Sequence, residues 1–193
     1  MNAAGWLSAS RLWLLPLAVL PVALHWDEGW LAAAAVTAIA GLSDFADGYL
    51  ARRLNASSAR GAGLDLLGDK VFIVGMLAML AYYGLVELWI LLVVVAREAV
   101  VTLLRLRRRS APAVKVDFWG KTKTFASFCA VGWVILAEAF ESGSVLGRFN
   151  AGGFLERLLS LAPYALAAAV ILTLASGVNY VWKYALSFSR QLR

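Results

Sequence analysis

Cysteine and histidine are almost missing from this chain of 193 residues, which has one of each. Cys129 has no second cysteine for an internal disulfide, and it falls in an apolar run, where it reads as a small packing residue of a helix. With His25 as the lone imidazole, no Cys/His set for zinc exists, and Ser–His or Cys–His catalysis has no support. His25 itself reads as an interfacial residue. Charge is scarce as well: Asp, Glu, Lys and Arg make up 16% of the chain, against about 25% in soluble domains. That excludes a soluble globular domain, and the apolar content excludes a disordered chain. The acids are the rarer sign, 12 against 18 basic residues, for a net charge of +6. On so apolar a chain, the excess reads as loops facing anionic lipid and not as a nucleic-acid surface.

What is abundant is apolar. Hydrophobic residues make up 62% of the sequence, and the mean hydropathy is +0.74. At about 20 apolar residues per crossing, this predicts six transmembrane helices in one integral, all-α membrane domain over residues 1–193. The expected spans are 10–26, 30–50, 64–83, 86–104, 120–140 and 162–183. Arg11 inside the first apolar stretch argues against a cleaved signal peptide and for an N-terminal interfacial segment. The loops separate by charge. Arg52–Arg60, Arg105–Lys123 and the tail with Lys183, Arg190 and Arg193 carry most of the basic residues. The alternate connections carry only Arg148 and Arg157. The positive-inside rule then places both termini in the cytoplasm. A short interfacial helix is expected at 154–161.

The acids are not spread evenly. Of six aspartates, four lie between residues 44 and 69. Asp44 and Asp47 are three apart and Asp65 and Asp69 four apart, so each pair shares one helix face. A hairpin of the two helices can turn those faces toward each other. Four carboxylates converging at a bilayer edge repel one another and resist desolvation. Hard divalent cations relieve both, and two Mg²⁺ or Mn²⁺ ions bridged by shared carboxylates are a common device for phosphoryl transfer. Gly48 and Ala51 let a ligand approach the helix backbone, Arg52 can pair with a phosphate, and Gly61 allows close approach at the start of the third helix. The blander alternative is a set of interfacial ion pairs with Arg52, Arg53, Arg60 and Lys70. A cation channel or transporter is a third reading, though such sites usually lie near the midplane within repeats, and no repeat is visible.

The run Asp44-x2-Asp47-Gly48-x2-Ala51-Arg52-x8-Gly61-x3-Asp65-x3-Asp69 resembles the signature of the CDP-alcohol phosphatidyltransferases, at all eight fixed positions and all spacings. Fainter similarities favour the branch that makes phosphatidylglycerol phosphate. They are Asn2, Ser8 and Arg11; Ala96-Arg97-Glu98 with Leu104-Arg105; the stretch from Trp119 to Thr124; and Leu172-Thr173 with Ser176-Gly177 and Tyr180. The departures are Ala4, Leu66, Gly68 and Ser127, where that branch usually has other residues. Cardiolipin synthases that use CDP-diacylglycerol and phosphatidylglycerol share nearly the same pattern.

The resemblance implies a CDP-diacylglycerol donor with CMP as leaving group. It also implies metal ligation by Asp44, Asp47, Asp65 and Asp69, with Asp69 as general base. Gly48, Ala51, Arg52 and Gly61 would then line the CDP site. It further implies a homodimer; a bacterial cytoplasmic membrane is expected, and the loop charges turn the site toward the cytoplasm. The acceptor is read from other residues. Arg97 and Arg105, about two helical turns apart, lie nearly on one face, and Lys121 and Lys123 start the next helix. Such a basic pocket suits a phosphorylated alcohol, with glycerol 3-phosphate the natural candidate. The positive-inside rule alone accounts for Arg107, Arg108 and Arg109, and it remains an alternative for the other four.

Overall fold

The computed structural model describes the backbone of residues 3–54, 59–107, 118–148 and 153–189, with side chains over 12–43, 70–104, 124–148 and 153–183. Asn2, the basic residues Arg108, Arg109 and Lys115, and the tail residues Arg190 and Arg193 lie outside the described residues. Every element in the described residues is helical: α1 (Ala3–Ala23), α2 (Gly29–Leu54), α3 (Ala59–Tyr82), α4 (Leu88–Arg107), α5 (Phe118–Glu141), α6 (Val145–Arg148), α7 (Phe154–Leu159) and α8 (Ala162–Ser189).

The all-α expectation holds, but the six membrane spans do not. Among the described residues, two helical stretches are long and apolar enough to cross a bilayer, Thr124–Glu141 and Phe154–Lys183. The apolar parts of α1, α2 and α3 are Leu12–Ala23, Gly29–Ser43 and Lys70–Tyr82, all in the range of 10–17 residues. At 1.5 Å per residue these reach at most about 25 Å, short of a hydrocarbon core of about 30 Å. The rest of α2 and α3 carries the acidic motif, and α4 carries Arg97 and Glu98 in its middle. Each expected span falls largely on one helix, but the helices run longer than those spans and helix length does not equate to spanning length. The cytoplasmic placement of both termini was built on six crossings and goes with them. The N-terminal segment expected at the interface is the first part of one continuous helix, α1.

The protein is membrane-associated, and its surface shows why. Leu17 and Leu20 on α1, Leu24 in the turn after it, Leu88 and Leu92 on α4, and Ile171, Val178 and Trp182 on α8 are exposed. Helices apolar on the outside as well as the inside suit lipid, not water. Inside, α1 packs on α2 and α3, α5 on α2, α3 and α8, and α4 on α3 and α8. Phe72, Met76 and Leu80 of α3 and Val131 and Ile135 of α5 are almost fully buried and form the centre. Removing one such side chain from a close-packed interior costs about 2–5 kcal/mol.

Small residues set how close these helices come. Gly75 of α3 faces Leu15 of α1, and a Cβ at 75 would stand 2.6 Å from a Leu15 methyl. Gly132 of α5 faces Thr37 of α2, whose hydroxyl is satisfied by donating to the Ala33 carbonyl at 2.8 Å. Gly41 of α2 faces Phe128 of α5, and Phe128 also stacks on Phe72 of α3, with ring centroids 5.6 Å apart.

Candidate active site at the charged end of the bundle

Phe128 fixes the level of the acidic motif. It touches Gly41 and Phe72, which lie three residues from Asp44 on α2 and from Asp69 on α3. α2 runs toward the 55–58 connection and α3 runs away from it. Both three-residue steps therefore go the same way along the bundle, a rise of about 4.5 Å each. Asp44 and Asp69 thus sit at one level, a turn beyond an aromatic floor. Asp47, Gly48, Ala51 and Arg52 continue along α2 beyond that level, and Asp65 and Gly61 along α3.

The other helices bring their polar ends to the same place. On α2 and α5, Thr37 faces Gly132 and Gly41 faces Phe128, an antiparallel register. Continued at the same pitch, it sets Ala46 level with Lys123 and Gly48 level with Lys121. On α1 and α3, Leu15 faces Gly75, and just past the end of α3 the Tyr83 hydroxyl donates to the Val22 carbonyl near the end of α1 at 3.3 Å, a parallel register. Carried back two turns, it sets Ser8 and Arg11 level with Gly68 and Val71, on either side of Asp69. On α3 and α4, Lys70 reaches both Glu98 and Thr102. Five residues back along α3 and five onward along α4, Asp65 comes level with Arg105. One end of the bundle therefore gathers the backbone positions of all four aspartates with Arg52, Arg105, Lys121 and Lys123. The side chains of these eight residues, like those of Ala51, Gly48 and Gly61, lie outside the described set.

Arg97 and Glu98 are described in full. The Arg97 guanidinium donates to Glu98 Oε1 at 2.6 Å, to Ser176 Oγ at 2.8 Å and, through Nε, to the Thr173 carbonyl at 3.2 Å. Ser176 Oγ in turn donates to the Thr173 carbonyl at 2.9 Å. Gly177 makes room for the arginine stem, since a Cβ there would lie 3.0 Å from Arg97 Cγ. Three hydrogen bonds leave two of the five guanidinium N–H groups for another acceptor. Glu98 Oε2 stands 3.1 Å from Lys70 Nζ, and Lys70 also donates to Thr102 Oγ1 at 2.5 Å. All three charged side chains are mostly buried, at 19% exposure for Lys70, 13% for Glu98 and 12% for Arg97.

This network joins α3, α4 and α8 one residue from Asp69. Sequence reading had placed Arg97 in an acceptor pocket and had counted Lys70 only as a possible mate for the aspartates. It missed that Lys70, Glu98, Thr102, Thr173 and Ser176 meet. The available signal was Glu98, an acid in the middle of an apolar helix, which demands a partner.

No group of three or more His, Cys, Asp or Glu side chains gathers among the described residues. The acidic motif supplies oxygen donors only, which suits Mg²⁺ or Mn²⁺ and not zinc or copper. Carboxylate and basic residue types at neighbouring backbone positions are the kind of set that positioning phosphates and moving a proton would call for.

Comparison with known proteins bears on the class of reaction. A Streptomyces coelicolor protein named cardiolipin synthase (CMP-forming) is 38% identical over 114 residues, covering 58% of this chain and 52% of its own length. The chain thus spans about half of that relative. The CDP-diacylglycerol–glycerol-3-phosphate 3-phosphatidyltransferase of Pseudomonas fluorescens is 33% identical over 159 residues, or 72% of this chain and 80% of the relative. Its namesake in Bacillus subtilis is 30% identical over 196 residues and covers 94% of each. Relatives of both names match at similar identity, so similarity sets the reaction class and not the acceptor. Residues 1–175 match the CDP-alcohol phosphatidyltransferase family as a whole, and the chain belongs to that family of enzymes.

Proposed function

We propose that the chain transfers a phosphatidyl group from CDP-diacylglycerol to glycerol 3-phosphate, giving phosphatidylglycerol phosphate and CMP. Enzymes of this family catalyse transfers of this type and use divalent cations. The observation that carries the reading is the single level at which α2 and α3 present Asp44 and Asp69, with the basic positions of α4 and α5 beside them. Asp44, Asp47, Asp65 and Asp69 hold two Mg²⁺ or Mn²⁺ ions, which when bound neutralise the pyrophosphate and the charge developing on CMP. Asp69 accepts the proton of the acceptor hydroxyl as its oxygen bonds to the β-phosphorus of the CDP group and the bond to CMP breaks. Gly48, Ala51, Arg52 and Gly61 seat the CDP moiety. Arg105, Lys121 and Lys123 bind the acceptor phosphate, with Arg97 contributing its remaining N–H groups.

The site faces the cytoplasm of a bacterial cell, and the enzyme works as a homodimer, which light scattering in detergent would test. Cardiolipin synthesis is the second reading, favoured by the 38% identity to the Streptomyces protein. The deciding experiment is CMP release by purified protein with CDP-diacylglycerol and Mg²⁺ or Mn²⁺, offering glycerol 3-phosphate and phosphatidylglycerol separately. Release with glycerol 3-phosphate supports the first reading, and release only with phosphatidylglycerol moves the acceptor to a lipid. No donor-dependent release with either would sink both.

A further inference from the structure

We propose that Glu98 is a positioning residue for the acidic site: with Thr102 it holds the Lys70 ammonium against α4, and so keeps that cation from competing with divalent metal for the neighbouring aspartates. The inference rests on the aspartate site proposed above. Lys70 follows Asp69 directly and begins the apolar stretch of α3. Its flexible stem of four methylenes lets the ammonium bend toward the carboxylate of an adjacent residue, as Arg97 does toward Glu98 at 2.6 Å on α4. A lysine at that place is a built-in competitor for any cation the aspartates take.

The structure shows where the ammonium goes instead. It lies 3.1 Å from Glu98 Oε2 and 2.5 Å from Thr102 Oγ1, both on α4. Glu98 is itself fixed, because its other oxygen accepts from Arg97 at 2.6 Å, and Arg97 is tied to α8 through Ser176 and Thr173. The two oxygens of Glu98 thus meet the Lys70 ammonium and the Arg97 guanidinium respectively. The arrangement is not what stability alone selects. A mostly buried ion pair roughly breaks even against apolar residues of the same volume, and an apolar residue at 70 would continue α3 into its core. What the pair adds is a place for a positive charge away from the motif.

The test is Mn²⁺ binding by the purified full chain in detergent, without substrates, with free Mn²⁺ read by electron paramagnetic resonance. Wild type binds Mn²⁺ and Asp69→Asn weakens it, which tests the aspartate site on its own. Glu98→Gln is expected to weaken Mn²⁺ binding about tenfold, the low end of what one opposite charge nearby does to a carboxylate's affinity for a proton. Adding Lys70→Met to Glu98→Gln is expected to restore binding to within about twofold of wild type, because the competing ammonium is gone. A network that only held helices together would be damaged further by the second change.

Thr102→Val, a near-isosteric change, is expected to weaken binding about threefold, and to have no effect when Lys70 is already Met. It keeps the proposal open to refutation if Glu98→Gln does not fold. Unchanged Mn²⁺ binding in Glu98→Gln and Thr102→Val would overturn the proposal, and so would a loss that Lys70→Met does not relieve. Absent binding by wild type, or no effect of Asp69→Asn, would overturn the aspartate site and this proposal with it.

Discussion

The two ends of the bundle are built on opposite plans. At the end of the 24–28 turn, neighbouring helices are closed by aromatic and backbone contacts. Trp30 meets Tyr83 edge-on with centroids 5.3 Å apart, and Tyr83 donates to the Val22 carbonyl. The Val145 N–H donates to Glu28 Oε1 at 2.9 Å, and Gly84 and Gly143 take the left-handed backbone that tight turns need. Few charges are involved, and each contact holds two segments together. At the other end, four aspartates and most of the basic residues come together on the same helices. The four aspartates repel one another unless the neighbouring bases or a bound cation offset them. One end closes the fold, and the other carries the charges on which the proposed chemistry depends.

Asp69→Asn should break the charged end without touching its opposite. If Asp69 takes the acceptor proton and holds metal, CMP release should fall by at least about a thousandfold. The melting temperature should stay level or rise, because one of four repelling carboxylates is gone. A variant that lost stability in step with activity would mean that the aspartates hold the fold, and the contrast between the ends would fail.

How much of that contrast was legible beforehand differs by residue. The helices over 30–50, 64–83 and 120–140 were visible because apolar residues run on for more than three turns in each. The acidic pairs were visible because i,i+3 and i,i+4 spacing is a local property. The number of spans was misread for a physical reason. α2 and α3 keep helical geometry through the motif, so helix length overstates apolar length there, as Gly29–Ser43 within Gly29–Leu54 shows. The Lys70–Glu98 contact was invisible because it joins residues 28 apart, on helices whose facing sides no local pattern specifies. The same holds for Arg97 with Ser176, 79 residues away.

Arg97→Met carries the comparison into the middle of the bundle, where the network serves both plans. It should lower stability by about 3 kcal/mol, since Ser176 and one Glu98 oxygen lose a charged donor away from water. It should also raise KM for the phosphorylated acceptor more than it lowers kcat, if the remaining guanidinium N–H groups meet the phosphate. Chemical denaturation in detergent and substrate titration separate the two. A stability loss with unchanged KM would assign Arg97 to the fold alone.

Gly29→Ala tests the closing end. A Cβ at residue 29 would stand 2.6 Å from the Pro21 carbonyl oxygen, which is backbone and has little freedom to retreat. The turn between α1 and α2 should open slightly, costing about 2 kcal/mol. Turnover per folded molecule should be unchanged, because the clash lies at the end away from Asp69. A loss of turnover in protein shown to be folded would mean that the two ends are coupled through α1.

The smallest effect expected is at Glu28. One carboxylate oxygen accepts from Val145 N–H, while the other is buried without a hydrogen-bond partner among the described residues. Glu28→Gln keeps an acceptor for Val145 and replaces an unpaired, partly charged oxygen by a neutral amide nitrogen. The hydrogen bond to a charged acceptor weakens by about 1 kcal/mol, while the burden of burying half a carboxylate falls by a similar amount. The two nearly cancel, so the melting temperature should move by no more than about 2 °C. A large drop would show that the charge of Glu28 matters to the turn at Val145. The closing end would then depend on electrostatics as the other end does, and the division between the two would be one of degree.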